Sequence, residues 1–154
     1  MPGIKIILTG KIRKGFRAEA FDYYLKKSRH YIDISLIVIK DARSGDALLR
    51  AETEGRTLLK KVTPHDLLIV LDEKGKELTS CKFAQKMQTW DELPGKTPCF
   101  IIGGSYGLWD QVRQHADFIL SLGPMTMPHE LAAIVLMEQI YRARTIIQGH
   151  PYHH

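Results

Sequence analysis

The chain has 154 residues, of which 44% are hydrophobic and 25% are charged, as in an ordinary globular protein. This length predicts one domain over residues 1–154, and no apolar run approaches the roughly 20 residues needed to span a bilayer. The 22 basic and 17 acidic residues give a net charge of +5, which favours a polyanionic partner without specifying one. The N-terminus lacks the layout of a signal peptide, so a cytoplasmic location is expected.

The cysteine pattern argues against a disulfide framework and against a metal centre. The sequence contains two cysteines, Cys81 and Cys99, and no Cys/His pair has the spacing of a zinc site. We interpret both as reduced, packed thiols and expect no metal.

Short apolar runs alternate with helical patterns along the whole chain. The runs predict strands at residues 4–10, 32–39, 67–72, 99–104 and 118–122. The segments between them predict helices at residues 16–30, 47–62, 78–90, 108–116 and 129–147. Five such units with nearly continuous apolar strands indicate an α/β fold, with a mostly parallel sheet and helices on both faces.

Three strand ends in the second half of the chain are unusual. They read VLDEKGK, IIGGSYG and LSLGPMTMPH. Ligands of open α/β sheets bind outside the carboxyl ends of the strands, so a site is expected from residues 71–75, 103–107 and 122–129. The first half offers only Thr9 and Gly10 at a comparable position.

The glycines of IIGGSYG do not match the known nucleotide fingerprints. Gly103, Gly104 and Gly107 do not form G-x-G-x-x-G, and the chain contains no G-x-x-x-x-G-K-[ST]. Two adjacent glycines after a strand let a ligand or another backbone segment approach closely, and a simple turn explains them equally well.

The segment GPMTMPH joins the fifth predicted strand to the last predicted helix. Pro124 and Pro128 lack amide donors and keep the segment out of regular structure. The amides of Met125 and Met127 therefore have no obvious partner, and buried backbone groups must pair with something. An adenine ring would suit them, as would ordered water or another loop. Pro128 also fits the first position of a helix.

The last predicted helix carries two candidate functional residues. His129 and Arg142 are thirteen residues apart and do not share a face, whereas Arg142 and Glu138 are four apart and could form a simple surface ion pair. Residues 131–137 are apolar all round, which is typical of a helix buried at a subunit interface. In the tail GHPYHH, an aromatic ring and imidazoles could stack on and hydrogen-bond to a nucleobase.

These motifs occur together, in order. IIGGSYG, LSLGPMTMPHELAAIVLMEQIYRA and the terminal HPYH resemble the SPOUT-class methyltransferases. Within that class the chain is similar to the pseudouridine methyltransferases that act in the helix 69 loop of bacterial 23S ribosomal RNA (the RlmH family). The similarity covers nearly the whole chain, including the opening strand that ends in Thr9 and Gly10 and the LDEKGK loop.

The resemblance implies a fold, a reaction and an assembly. The chain within roughly residues 70–154 would form a deep trefoil knot, a rare exception to unknotted chains, and would bind S-adenosylmethionine. The protein would be a homodimer that methylates ring nitrogen 3 of a pseudouridine on assembled ribosomes. A SPOUT methyltransferase for another rRNA or tRNA nucleotide, and a non-catalytic ribosome-binding factor, are the alternatives.

The resemblance also implies roles for particular positions. The cofactor would be held by Leu71, Gly103, Gly104, Leu122, Gly123, Pro124, Met125, Thr126, Met127 and Pro128. His129 and Arg142 match positions associated with activity, and Tyr152 and His153 match positions associated with the substrate. The family usually has Arg or Lys where this chain has His154. Independently of the resemblance, candidate phosphate contacts near the first predicted strand and helix are Lys11, Arg13, Lys14, Lys26 and Lys27, each of which could equally be a solvated surface charge.

Overall fold

The computed structural model describes residues 3–154, whose strands form one parallel sheet. The strands are β1 (Gly3–Thr9), β2 (Asp33–Ile39), β3 (Asp66–Glu77), β4 (Thr97–Ile102) and β5 (Phe118–Ser121). They are arranged in the order β2-β1-β4-β3-β5, and every strand pair is parallel. The five predicted strands and the parallel sheet are confirmed.

Helices cover both faces of this sheet, as predicted. They are α1 (Phe16–Ser28), α2 (Ala47–Lys60), α3 (Ser80–Asp91), α4 (Asp110–His115) and α5 (His129–Gln148). Apolar residues of α1, α3 and α5 pack in one core cluster, and those of α2 and α4 pack in a second cluster on the opposite face. Within the described residues, no helix is long and apolar enough to cross a membrane.

The two clusters exist because successive strand residues point to opposite faces. In β1, Ile6 belongs to the α1, α3 and α5 side and Ile7 to the α2 and α4 side. Phe100 and Ile101 divide in the same way in β4, and all four side chains are completely buried. A sheet that is apolar on both faces must be covered on both faces, which accounts for the two helical layers.

The extent of β3 differs from the prediction. The apolar run ends near residue 72, but the strand continues to Glu77, with a register shift against β5 between Leu71 and Lys76. Gly75 permits this course, because a Cβ at that position would lie 2.6 Å from the carbonyl oxygen of Ile119. The LDEKGK segment is therefore an irregular part of a paired strand and not a loop. Pairing with β5 overrides its polar sequence.

Candidate active site

A cavity of about 690 Å³ opens at the carboxyl ends of β3, β4 and β5. Its volume falls in the range of about 300–1,000 Å³ that is usual for small-molecule sites. The walls come from the irregular part of β3, the turn after β4, residues 122–128 and the start of α5. The site therefore lies at the sheet edge that the strand-end sequences predicted.

Most of the residues that the resemblance assigned to a cofactor meet in this cavity. The exception is Pro124, which is exposed and does not line it. The predicted residues that do line the cavity are Leu71, Gly103, Gly104, Leu122, Gly123, Met125, Thr126, Met127 and Pro128, together with His129.

Residues 122–128 are held by hydrogen bonds at Gly123 and Thr126, whereas two other amides of the segment have no partner in the described chain. The Ser121 hydroxyl accepts a hydrogen bond from the Gly123 amide at 3.1 Å, and the Thr126 hydroxyl donates to the Glu73 carboxylate at 2.5 Å. Within residues 3–154, the amides of Met125 and Met127 donate to no backbone or side-chain acceptor. The prediction that these two amides lack a partner in regular structure is confirmed, and they are free to bind a ligand.

Gly103 and Gly104 let neighbouring protein pack closely behind the turn after β4. A Cβ on Gly103 would lie 2.8 Å from Leu108. A Cβ on Gly104 would lie 2.9 Å from Thr9 Cγ2 and 3.0 Å from Glu54 Oε1. The sequence left open whether a ligand or another backbone segment approaches these glycines. Other protein atoms approach both of them closely, and both glycines also line the cavity.

Asp72 and Arg113 form a charged wall that sequence reasoning did not identify as a pair. The Arg113 guanidinium donates to the Asp72 carboxylate, whose other oxygen accepts from the Lys74 amide at 2.9 Å. Burial acts to raise the pKa of Asp72, but the Lys74 amide and Arg113 outweigh it and hold the pKa below its ordinary value. The ionised carboxylate fixes the irregular part of β3 against α4.

The β1–α1 loop reaches the other side of the cavity. The Arg13 amide donates to Glu130 at 2.8 Å, and Arg13 Nε lies 3.5 Å from the same carboxylate. Glu130 is buried at the start of α5, and Arg13 lines the cavity. His129 Nε2 lies 3.7 Å from the position of a Cβ on Gly10. The Thr9-Gly10 end of β1, the one feature noted in the first half, thus borders the site.

Arg142 belongs to a second cluster, farther along α5. Its Nε and Nη2 donate to Glu138 at 3.0 and 2.5 Å, so the predicted pair is confirmed. The Tyr152 hydroxyl donates to the same carboxylate at 3.0 Å. His153 Nδ1 lies 3.1 Å from Arg142 Nη1, and the guanidinium lies 4.8 Å from the centre of the Tyr152 ring.

This arrangement raises the pKa values of two of its members. The hydrogen bond to Glu138 raises the pKa of Arg142. Burial, followed by the hydrogen bond to Glu138, raises the pKa of Tyr152 to about 12. At neutral pH the cluster therefore presents a guanidinium cation beside a protonated phenol. The tail is folded onto the protein, since His150 Nδ1 lies 2.8 Å from the Tyr31 hydroxyl.

The two predicted catalytic residues are not adjacent within one chain. Thirteen residues of α-helix span about 20 Å along the axis, and His129 and Arg142 are that far apart on α5. His129 lines the cavity, whereas Arg142, Tyr152 and His153 do not. Within one chain, Arg142, Tyr152 and His153 therefore form a cluster that is separate from the cavity containing His129.

Comparison with known proteins identifies the family. The family model described as a predicted SPOUT methyltransferase matches residues 3–153. The ribosomal RNA large subunit methyltransferase H of Maridesulfovibrio salexigens is 41% identical over 100% of this chain and 99% of that protein. Proteins of the same name from Solidesulfovibrio magneticus and Anaeromyxobacter dehalogenans are 41% and 42% identical, over 100% and 97% of this chain and 100% and 98% of theirs. The chain belongs to the SPOUT methyltransferase family.

Proposed function

We propose that this protein uses S-adenosylmethionine to methylate ring nitrogen 3 of a pseudouridine in the helix 69 loop of 23S ribosomal RNA, on assembled ribosomes. The observation that carries the proposal is the strand-end cavity bordered by residues 122–128, with the free amides of Met125 and Met127. The full-length relatives named as large-subunit rRNA methyltransferases support the RNA class.

The cavity has the donors and the apolar surface that the cofactor requires. Free backbone amides and carbonyls in residues 122–128 suit the edge of an adenine ring, and Leu71 and Leu122 provide apolar contact. S-adenosylmethionine supplies a methyl group on a sulfonium, which is a good leaving group, so the protein needs no covalent nucleophile. What remains for the chain is to align the acceptor nitrogen with the methyl group and to manage the imide proton.

His129 is the candidate for that proton. It begins α5 and lines the cavity, and its imidazole makes no hydrogen bond with the described residues. An imidazole without a competing partner can orient or accept the proton at ring nitrogen 3, provided that the uracil ring enters beside the cofactor loop.

Arg142 would act across a homodimer interface. Leu131, Val135, Glu138 and Arg142 follow one another at intervals of four, three and four residues and so form one stripe of α5. Leu131 is 46% exposed, although α5 packs against both α1 and α3. Pairing of two such stripes would bury Leu131 and bring Arg142, Tyr152 and His153 of the partner subunit towards the cavity.

In that position the cluster would bind the substrate. The guanidinium of Arg142 would stabilise negative charge on a uracil carbonyl or hold a phosphate. Tyr152 and His153 would stack on and hydrogen-bond to RNA bases. His154 provides an imidazole where the family usually has Arg or Lys.

The remaining parts of the proposal concern the whole chain. We propose one catalytic domain over residues 1–154, threaded into a trefoil knot within roughly residues 70–154 and active in the cytoplasm, where ribosomes are. The reaction would need no metal. Within residues 3–154 there is no group of three His, Cys, Asp or Glu side chains placed to hold a metal ion.

The decisive experiment is to locate the methyl group. Ribosomes from a strain that lacks the endogenous modification are incubated with this protein and isotope-labelled S-adenosylmethionine, and the rRNA is digested and analysed by mass spectrometry. We expect label on ring nitrogen 3 of one pseudouridine in helix 69. Label on another nucleotide would indicate a different SPOUT target, and cofactor binding without transfer would indicate a ribosome-binding factor.

A further inference from the structure

The β1–α1 loop holds the most concentrated positive charge in the sequence. Four of the seven residues from 11 to 17 are Lys or Arg, and no Asp or Glu occurs between residues 10 and 18. Lys11, Arg13 and Lys14 are all exposed. Because the net charge of the whole chain is +5, this short segment supplies a large share of it in one place.

The loop is fixed at the mouth of the cavity. The buried carboxylate of Glu130 accepts the Arg13 amide, which ties the loop to the first turn of α5 beside His129. Lys26 and Lys27, the other predicted phosphate contacts, lie in the last turn of α1, about 15 Å or more from the loop along that helix. Of the predicted phosphate contacts, those near the cavity are therefore Lys11, Arg13 and Lys14.

The opposite wall of the cavity has a different charge. It contains Asp72 with Arg113 and the exposed side chains of Glu73 and Lys74, so that its acidic and basic groups balance. A polyanion that approaches the cavity is therefore attracted on the α1 side and not on the β3 side.

Phe16 adds an aromatic surface to the basic loop. It is 72% exposed at the start of α1. The Arg17 guanidinium lies 4.6 Å from the centre of its ring. An exposed aromatic ring among cations is the combination with which proteins hold unpaired RNA, since bases stack on the ring while cations contact the phosphates.

We infer that residues 11–17 form the RNA-binding edge of the active site, with Lys11 and Lys14 on phosphates next to the target nucleotide and Phe16 stacked on a neighbouring unpaired base. The target base must enter the cavity, so the adjoining nucleotides have to cross its rim, and the α1 side is the rim whose charge suits them. This inference rests on the proposed RNA methyltransferase function and adds the direction from which the RNA enters.

The test compares two charge-reversal variants that carry the same change in net charge. The first is Lys11→Glu with Lys14→Glu. The control is Lys60→Glu with Lys61→Glu, because both lysines are exposed and lie at the opposite edge of the sheet, where the Lys61 carbonyl accepts from Lys5 at the start of β1. Methyl transfer to unmodified ribosomes is measured over a range of salt concentrations, and cofactor binding is measured by calorimetry.

We expect the loop variant to raise the KM for ribosomes at least about tenfold, and to flatten the slope of log KM against log salt by about 1.4–1.8, the value for two lost phosphate contacts. Its cofactor affinity should match that of the control variant, whose KM should stay close to that of the unchanged protein. Equal effects of the two variants on KM, or a parallel loss of cofactor binding in the loop variant, would overturn the inference.

Phe16 is tested separately. Phe16→Ala should raise the KM for ribosomes about tenfold without changing the salt slope, and Phe16→Trp should keep the affinity, because a stacking surface is preserved. If Phe16→Ala instead changes the mass of the protein measured by light scattering, the ring belongs to a subunit contact and its proposed role is wrong. If the unchanged protein transfers no methyl group, the proposed function itself is rejected. If the loop variant has the same KM for ribosomes as the unchanged protein, only this inference is rejected.

Discussion

Glu54 has a buried carboxyl group behind the turn that borders the cavity, and only one of its two oxygens is hydrogen-bonded to a described residue. It is 2% exposed, and its Oε2 accepts the Ala42 amide at 2.8 Å. Within the described residues, Glu54 Oε1 and the buried Thr9 hydroxyl have no hydrogen-bond partner. Both groups lie directly behind Gly104, so the protonation of Glu54 bears on the turn that borders the cavity.

Glu54→Gln should change how stability depends on pH. Burial raises the pKa of Glu54, so the folded protein binds this proton more tightly than the unfolded chain does. Its contribution to the free energy of unfolding is complete below the unfolded pKa and is lost as the pH rises through the folded pKa. The neutral amide of the variant has no such loss. In urea unfolding, the free energy of unfolding of the variant relative to the unchanged protein should therefore be higher at pH 8 than at pH 5. The same relative value at both pH values would contradict this.

Arg142→Ala should separate turnover from cofactor binding. Because Arg142 lies outside the cavity and is assigned to the substrate, we expect kcat to fall about a hundredfold or more, as for loss of a group that stabilises developing charge. Calorimetry with S-adenosylmethionine should give a nearly unchanged Kd. Equal losses in kcat and cofactor affinity would show that Arg142 is structural.

Arg144 is a useful contrast two residues farther on. It is 3% exposed and makes two hydrogen bonds to Asp91, at 2.5 and 3.0 Å. Arg144→Ala leaves a partly buried carboxylate unpaired and should lower the free energy of unfolding by about 3–5 kcal/mol. Arg144→Ala should be the less stable of the two variants. Denaturant unfolding of the Arg142→Ala and Arg144→Ala proteins in parallel tests this, and similar free energies of unfolding would disprove it.

At the scale of the elements, the turn after β4 determines the shape of the cavity. Gly104→Ala would place a methyl group 2.9 Å from Thr9 Cγ2, too close for any Cβ contact, and the turn would have to move into the cavity. We expect cofactor affinity to fall about tenfold or more, equivalent to about 1.4 kcal/mol. Tyr106→Phe, in the same turn but outside the cavity lining, is the control and should bind normally in calorimetry. Equal affinities would mean that the turn adapts freely.

The sequence predicts the elements well where one physical signal dominates. Apolar runs identify all five strands, and Thr79, a residue type favoured just before a helix, caps α3 by accepting the Lys82 amide at 3.2 Å. The signal fails at residues 73–77, because Lys76 and Glu77 pair with β5 only after a register shift, which Gly75 permits. Local propensity contains no information about such a distant partner.

The sequence predicts only part of the candidate site. Gly103, Gly104 and residues 122–128 could be placed together, since parallel strands end at one edge of the sheet. The contacts of Asp72 with Arg113 and of Arg13 with Glu130 could not, because their members are 41 and 117 residues apart in the chain. Only the fold brings such pairs together.

At the scale of the whole molecule, the stripe of α5 that carries Leu131 and Arg142 is the surface to test for assembly. Leu131→Asp should convert the proposed dimer into monomers without unfolding them, because a half-exposed side chain is altered. Leu48→Asp, at a position that is 83% exposed on the opposite helical layer, should leave the assembly intact. Light scattering measures the masses of both variants. An unchanged mass for Leu131→Asp would show that this stripe is not the dimer interface.

The position of β1 in the sheet has a consequence for synthesis of the chain. β1 emerges first but lies between β2 and β4, with Lys5 paired to Cys99. At about 5–20 residues per second, a nascent β1 waits about 5–20 s before its second neighbour is translated. During that interval one edge of a strongly apolar strand lacks its partner, so chains released before β4 should aggregate or recruit chaperones.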